Sequence, residues 1–412
     1  MYGMSERGNL VETLVELFDA EPIENILATR VFSPKTTVFL CDEKTPRRKR
    51  RVVETMLANW GMKTKTEFYQ TDANCFDSIL RVMEQILKKH PGCVFDFNGG
   101  RDLMLLAAGI FCKEHGVPGF FIDMASLRFY DVFGCACLKE KFILPRFRVK
   151  DILAGAGARI EGYGHYRPEK TDKEMADDVL KVWDILWSDQ SAFAGQVGWF
   201  QQVLKNNGEE KSPALTAKAP VHFRVNDRME VKAEEKVLQK LHEAGILTQL
   251  VYRGGQAGMT FKNEALRSCL TSHGIWLELY GFLKAYRTAW FNDVKTSVLI
   301  GWTEENDLPH SETRNEMDIM LVKGVTPVFV SCKMGQPTPL ALSEVRLLSG
   351  RFGGELAKTV LLTASDVFHQ NPALYNRARE LGVAVIDKND IAEDAVAQRL
   401  QQVASGSFRY RR

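Results

Sequence analysis

The sequence predicts an α/β protein, with a parallel, doubly wound sheet in its N-terminal part, a small middle module and a mixed sheet at its C-terminal end. Three observations carry this. Short apolar runs alternate with stretches of helical length as far as Ile122, the pattern of parallel strands joined by crossover helices. Two further apolar runs meet across Lys323-Gly324, as in a β-hairpin. The chain has 412 residues, enough for two or three domains with real cores. The expected divisions are 1–165, 166–262 and 263–412.

In the first unit, LVELF at 14–18 reads as a strand, 23–28 as helix, and TVFLC at 37–41 as a fully buried strand. Thr45-Pro46 opens a helix that runs to about residue 59 and stops at Gly61. The arginine- and lysine-rich run at 47–51 is then a solvated face of that helix. A helix over 75–89 ends at His90-Pro91-Gly92, strand 93–97 follows, and Asn98-Gly99-Gly100 turns into a helix over 103–114. Residues 119–122, 127–133 and 141–144 read as further strands, and 147–158 as a helix start and turn that closes the unit. In such sheets ligands bind beyond the carboxyl ends of the strands. Two loops lie there: Asp19-Ala20-Glu21-Pro22, and 98–102. The paired glycines let backbone N–H groups approach an anion at a helix N-terminus, although the same turn serves equally as a tight connection.

The middle holds an amphipathic helix over 172–186, a polar stretch at 205–218 read as a linker, and a helix over 234–244 stopped by Gly245. Short strands at 246–252 and 259–261 flank Gly254-Gly255. A helix followed by a two-stranded wing resembles a winged-helix module. Without a basic recognition helix, packing between the outer units is the simpler reading.

The chemistry is expected between residues 274 and 355. Glu278 lies on an amphipathic helix with Trp276, Leu279, Tyr280 and Leu283. Asp318 precedes the apolar run at 319–322, and 328–330 leads into Ser331-Cys332-Lys333. A two-residue turn at Gly324-Val325 sets Asp318 opposite Ser331, and Lys333 then points to the same face. Thr338 caps a helix with Pro339 at its first position, and Glu344 falls on the second turn. Two or three carboxylates with a lysine suit a divalent-metal phosphodiesterase, the metal activating water and the lysine steadying phosphate charge. Ordinary surface charges on a hairpin are the bland alternative. Beyond these, VLLT at 360–363 and VAVI at 383–386 read as buried strands, with a helix over 371–380 between them, and the basic tail at 409–412 as loose.

Composition is that of an ordered protein, with 45% hydrophobic residues and 24 Phe. With 54 basic and 52 acidic residues the net charge is +2, so any polyanion contact must be local. No apolar run approaches the ~20 residues that span a bilayer. Residues 1–9 are too polar for a secretory signal. The eight cysteines form no CxxC pair and suit reduced thiols in a cytoplasmic protein.

At Glu278, Asp318 and Lys333 the sequence resembles the PD-(D/E)XK nucleases, whose pattern is a helix Glu, an Asp opening a hairpin and (D/E)-x-K at the end of the next strand. Ser331 stands where the acid is usual. The superfamily sometimes moves that acid to the following helix, which implies Glu344. The resemblance thus implies Glu278, Asp318, Lys333 and Glu344 as catalytic residues, with Asp318, Glu344, Glu278 and Cys332 around a Mn²⁺ or Mg²⁺ ion. The 97–104 stretch, FNGGRDLM, looks like the Asn-x-Gly-Gly-Thr-Lys loop of CARF domains, Rossmann-like sensors of cyclic oligoadenylates in type III CRISPR defence. Arg101-Asp102 replaces Thr-Lys; an arginine still suits a phosphate, whereas an aspartate repels one. A CARF-like sensor followed by such a nuclease resembles the CARF-nuclease effectors. It implies Asp19, Ala20, Glu21, Asn98, Gly99, Gly100 and Arg101 around a cyclic oligoadenylate such as cyclic tetra-adenylate, a homodimer across the ligand's two-fold axis, and a DNA or RNA substrate. The alternative is a ligand-responsive DNA-binding regulator whose nuclease-like domain is inactive.

Overall fold

Two six-stranded sheets organise the chain. The computed structural model describes residues 11–18, 22–139, 141–164, 173–188, 190–206, 215–226, 229–271, 275–302 and 315–411. The first sheet holds β1 (Thr13–Leu17), β2 (Thr36–Asp42), β3 (Lys65–Thr71), β4 (Cys93–Asp96), β5 (Gly119–Asp123) and β6 (Arg128–Asp131). Their order is β3-β2-β1-β4-β5-β6, parallel except for β6. Helices α1 (Pro22–Phe32), α2 (Arg47–Asn59), α3 (Phe76–Lys89) and α4 (Asp102–His115) make the crossovers. β1 and β2 are buried, as continuous apolar runs in a doubly covered sheet must be. Strand β3, KTEFYQT, escaped the sequence reading because it is a half-buried edge whose charges hide its period. The strand expected at 141–144 does not form. Ile143 is exposed there, and only the Phe142 ring anchors the segment, against Phe32 and Phe129.

Next come α5 (Val149–Gly155) and β7 (Ala158–Tyr163). Their placement differs from the expected division at 165, because β7 leaves the first sheet and becomes an edge of the second. The middle contains α6 (Lys173–Trp187), α7 (Gln190–Asn206), β8 (Thr216–Pro220), β9 (His222–Asn226), β10 (Met229–Lys232), α8 (Glu235–Glu243), β11 (Leu247–Arg253), β12 (Gln256–Phe261) and α9 (Glu264–Thr271). The wing β11–β12 forms as expected, but β8 joins it as a third strand. Residues 216–218, read as linker, alternate instead: Ala217 and Ala219 are buried, Thr216 and Lys218 exposed. Small side chains concealed that period.

The second sheet uses β13 (Asp293–Trp302), β14 (Asn315–Lys323), β15 (Thr326–Lys333), β16 (Lys358–Thr363) and β17 (Val383–Ile386), in the order β17-β16-β15-β14-β13-β7. Its helices are α10 (Ile275–Arg287), α11 (Pro339–Gly353), α12 (Val367–Gln370), α13 (Pro372–Glu380), α14 (Lys388–Ala392) and α15 (Val396–Ala404). The two outer units share one apolar core: Leu27, Phe32 and Ile122 pack with Ile152 and Leu153 of α5, and these with Val298 and Met320. Polar links reinforce the joint. Trp60 Nε1 donates to Asp151 Oδ1 at 3.0 Å, and the Val149 N–H donates to Asp293 Oδ2 at 3.0 Å. All eight cysteines are free thiols, and no described helix is long and apolar enough to cross a membrane.

The tail is not loose. Arg411 reaches back to the buried carboxylates of Asp387 at 3.2 Å and Asp390 at 2.8 Å, and its N–H donates to Tyr375 Oη. Removing one partner of a largely buried ion pair strands the other. Arg411→Ala is therefore expected to lower stability by about 1–3 kcal/mol, read as a shift in the urea midpoint. A midpoint equal to that of the unaltered protein would show the tail to be dispensable.

Candidate active site and ligand loop

Helix α10 is buried on nearly every side, from Ile275 to Leu283, so it is a core helix and not the amphipathic one the sequence suggested. It sits close on the sheet because Gly281 has no side chain. A Cβ there would come within 2.6 Å of Leu362 Cδ2 and 2.9 Å of Ile319 Cδ1. One turn earlier, Glu278 is carried into the interior at 8% exposure. Its Oε1 accepts hydrogen bonds from Thr296 Oγ1 at 2.6 Å and Ser297 Oγ at 2.5 Å.

Two neighbours on a strand normally face opposite sides. Here both hydroxyls reach one carboxylate, and Ser297 adopts φ +48°, a left-handed conformation uncommon for a serine and typical of strained functional positions. Thr296 also donates to the Asp318 carbonyl at 3.1 Å, which ties the acid's holder to the next strand. The sequence reading missed both residues. Lys295-Thr296-Ser297 interrupts the apolar character of β13, and a strained φ leaves no mark in the sequence.

The hairpin register is as expected: Ile319 pairs with Val330, Met320 with Phe329 and Lys323 with Thr326. Asp318 Oδ2 accepts the Cys332 N–H at 2.6 Å and the Ser331 hydroxyl at 3.4 Å. Burial raises the Asp318 pKa, while that N–H, the Lys333 charge and the Ser331 hydroxyl pull it back. Burial also pushes Glu278 up to about 7, against the pull of Ser297 and Thr296, and the Asp318 charge adds to the rise. Glu278 thus feels the charge of Asp318, and Asp318 that of Lys333.

Cys332 lies among them, but burial and the charges of Asp318 and Glu278 hold its thiol well above the ordinary thiol range. Without a metal its sulfur therefore keeps its proton. Glu344 is not brought to the others. α11 buries Ala341, Leu342, Val345 and Ser349, whereas Glu344 is exposed between Leu340 and Leu347. Among the described residues no three His, Cys, Asp or Glu side chains form a ready metal cluster.

At the other sheet, Gly99 and Gly100 both have φ +74°, and a Cβ on Gly100 would lie 2.9 Å from Leu17 Cβ. The turn is shaped from below by Asp96, whose Oδ1 accepts the Asn98 N–H at 2.9 Å. Asp96 faces Glu16 across β4 and β1, and burial raises both carboxyls well above the usual range. Asn98 is buried, its side-chain amide bonded both ways to the Ile122 backbone at 2.7 Å, so that amide is committed to the fold. Arg101 lies over the carboxyl ends of the strands, 3.0 Å from Asp42 and 3.2 Å from Asn74 Oδ1. Asp19, Ala20 and Glu21 lie outside the described residues.

The raised Glu278 carboxyl has a consequence for stability. A carboxyl at about 7 in the fold and near its ordinary 4.5 when unfolded holds its proton more tightly in the folded state. Its contribution is intact below 4.5 and lost as pH climbs through 7, a penalty of roughly 3 kcal/mol at pH 8. In metal-free protein Glu278→Gln is expected to be more stable than the wild type at pH 8 and nearly equal at pH 4.5, measured by chemical denaturation. Equal stability at both pH values would contradict the burial of a charged carboxylate.

No protein-family model matches the sequence, and no curated protein does. Solved structures match over nearly the whole length. The protein VC1899 from Vibrio cholerae has a TM-score of 0.71 at 17% identity, covering 96% of this chain and 98% of that one. Can2 from Sulfobacillus thermosulfidooxidans, solved in complex with cyclic tetra-adenylate, has a TM-score of 0.67 at 15% identity, covering 96% and 98%. The chain therefore shares its mixed α/β fold with these two structures over nearly its whole length.

Proposed function

We propose that the chain is a metal-dependent nuclease switched on by a cyclic oligoadenylate. The observation that carries this is buried Glu278 beside half-buried Asp318, with Lys333 at the end of the adjoining strand. The donor set fits a hard divalent cation such as Mn²⁺ or Mg²⁺. Both carboxyls are raised by burial, and a cation would remove that penalty. Glu278 and Asp318 would hold it, beside Cys332. When bound, the ion supplies Lewis-acid activation of water and offsets phosphate charge.

The chain's own groups do the rest. Thr296 and Ser297 fix the Glu278 carboxylate, and the Cys332 N–H fixes that of Asp318. The Lys333 ammonium orients the attacking water and steadies the phosphate. With no base-reading module evident, weak sequence specificity on DNA or RNA follows.

Activation rests on the ligand loop and on the likeness to Can2. The backbone N–H groups around Gly99 and Gly100, and the guanidinium of Arg101, would meet the ligand's phosphates. Arg101 would then exchange Asp42 for a phosphate. A homodimer across the ligand fits the face of α4 beside this loop, where Leu105, Leu106 and Ile110 are exposed.

Incubation of labelled single-stranded and duplex DNA and RNA with Mn²⁺ and cyclic tetra-adenylate tests the activity. Asp318→Asn and Lys333→Ala should each slow cleavage by about 100-fold or more, and the double variant should add little. Exposed as it is, Glu344→Gln should stay within about three-fold of wild type. Wild-type cleavage by the Asp318 variant would remove the hydrolytic site from this hairpin, and no cleavage by the unaltered protein would favour an inactive regulator. On the ligand side, Gly99→Val and Arg101→Ala should each weaken cyclic tetra-adenylate binding by about ten-fold in calorimetric titration. Unchanged affinity in both would make the turn purely structural.

A further inference from the structure

The joint between the two sheets contains a groove whose charged lining is almost entirely cationic. One cavity of about 660 Å³ is lined by Arg48, Arg51, Lys150 and Arg159, with Trp60 beside them. A second, of about 440 Å³, is lined by Arg48, Lys49 and Arg351, with Trp302. Both include Arg48, Val52 and Gly157, so they run together along α2. The acidic residue in this lining, Asp151, is buried and spent on Trp60 Nε1 and the Arg148 N–H. Arg159 has an exposed partner, Glu161 at 3.3 Å, a pair worth little in water.

Trp302 gives the groove a built feature. Its ring carries two guanidiniums, Arg48 at 5.8 Å and Arg351 at 4.4 Å from the ring centre. One belongs to α2 of the first sheet and the other to α11 of the second. Two like charges gathered at one ring repel each other unless an anion lies between them. Guanidinium forks match phosphate oxygens in geometry as well as charge.

We propose that this groove binds a single strand of nucleic acid through its phosphates, at a place separate from the hydrolytic pair. From Arg48 to Trp60 the α2 wall is about 18 Å long, room for a few nucleotides of an extended strand. Helix α2 forms one wall and the edge strand β7 another. Cations spread along a groove beside aromatic rings are what single strands bind, because the rings can stack bases, which an acidic peptide lacks. Trp302 is five residues from Ser297 on β13, about 17 Å, so a strand seated here lies near the reaction centre. The proposal rests on the nuclease reading for its purpose, but binding is measured apart from cleavage.

The test is fluorescence anisotropy of a labelled twelve-nucleotide oligo-dT in EDTA across a salt series, with the full chain. Arg51→Ala/Lys150→Ala, which leaves the Trp302 stack intact, should bind at least ten-fold more weakly and lower the salt slope by about 1.4, since each single-strand phosphate contact contributes about 0.7. Arg48→Ala/Arg351→Ala should do the same; thermal melts confirm folding. Asp318→Asn should bind like wild type. If both groove variants bind normally while Asp318→Asn still loses cleavage, the groove proposal fails and the nuclease reading stands. If both lose binding while nothing cleaves, the groove stands and the nuclease reading fails. A poly-glutamate peptide that displaces the oligonucleotide at equal concentration would also overturn the proposal.

Discussion

Burial of the Glu278 carboxylate is the constraint around which the C-terminal half is arranged. An ionisable group at 8% exposure is costly unless hydrogen bonds answer it, and β13 supplies two hydroxyls to one oxygen. Bringing both to the same side requires the positive φ at Ser297, a strain of about 1–3 kcal/mol. The close seat of α10 on Leu362 and Ile319, permitted by Gly281, sets the depth. The surrounding fold supports a strained arrangement in which burial makes the Glu278 carboxyl hold its proton more tightly than usual.

The same strand joins the halves of the molecule. β13 pairs with β14 on one edge and with β7 on the other, and it ends in Trp302, where α2 and α11 contribute their guanidiniums. α5 packs against α1, β13 and β14 through one continuous apolar core, and its Ala154 packs against the separate apolar cluster of α2. A displacement of the first sheet's helices is thereby a displacement of the neighbours of β13. The Gly99-Gly100 turn and the Glu278–Asp318 pair thus belong to sheets joined by packed, hydrogen-bonded elements around α5.

The pieces legible in the sequence were those whose signal is local. The apolar runs of β1, β2, β16 and β17, the Thr338-Pro339 helix start and the hairpin register all follow from residue type and a period of two. Elements that hide their period were missed: β3 on a charged edge, β8 built on alanines, β13 broken by Lys295-Thr296-Ser297. In the site, Glu278, Asp318 and Lys333 were readable from spacing, yet Glu344 was placed by analogy and faces solvent, because one helical step of 100° separates it from buried Val345. The Asn98 amide could not be known to serve Ile122, since that contact spans 24 residues and belongs to the tertiary fold.

Whether the Glu278–Asp318 pair is a metal centre is best tested by crystals grown with Mn²⁺ and measured at the manganese absorption edge. The account requires an anomalous peak in coordinating range of both the Glu278 and Asp318 carboxylates, lost in Asp318→Asn crystals. A peak elsewhere, or none beside these carboxylates at saturating Mn²⁺, would contradict it.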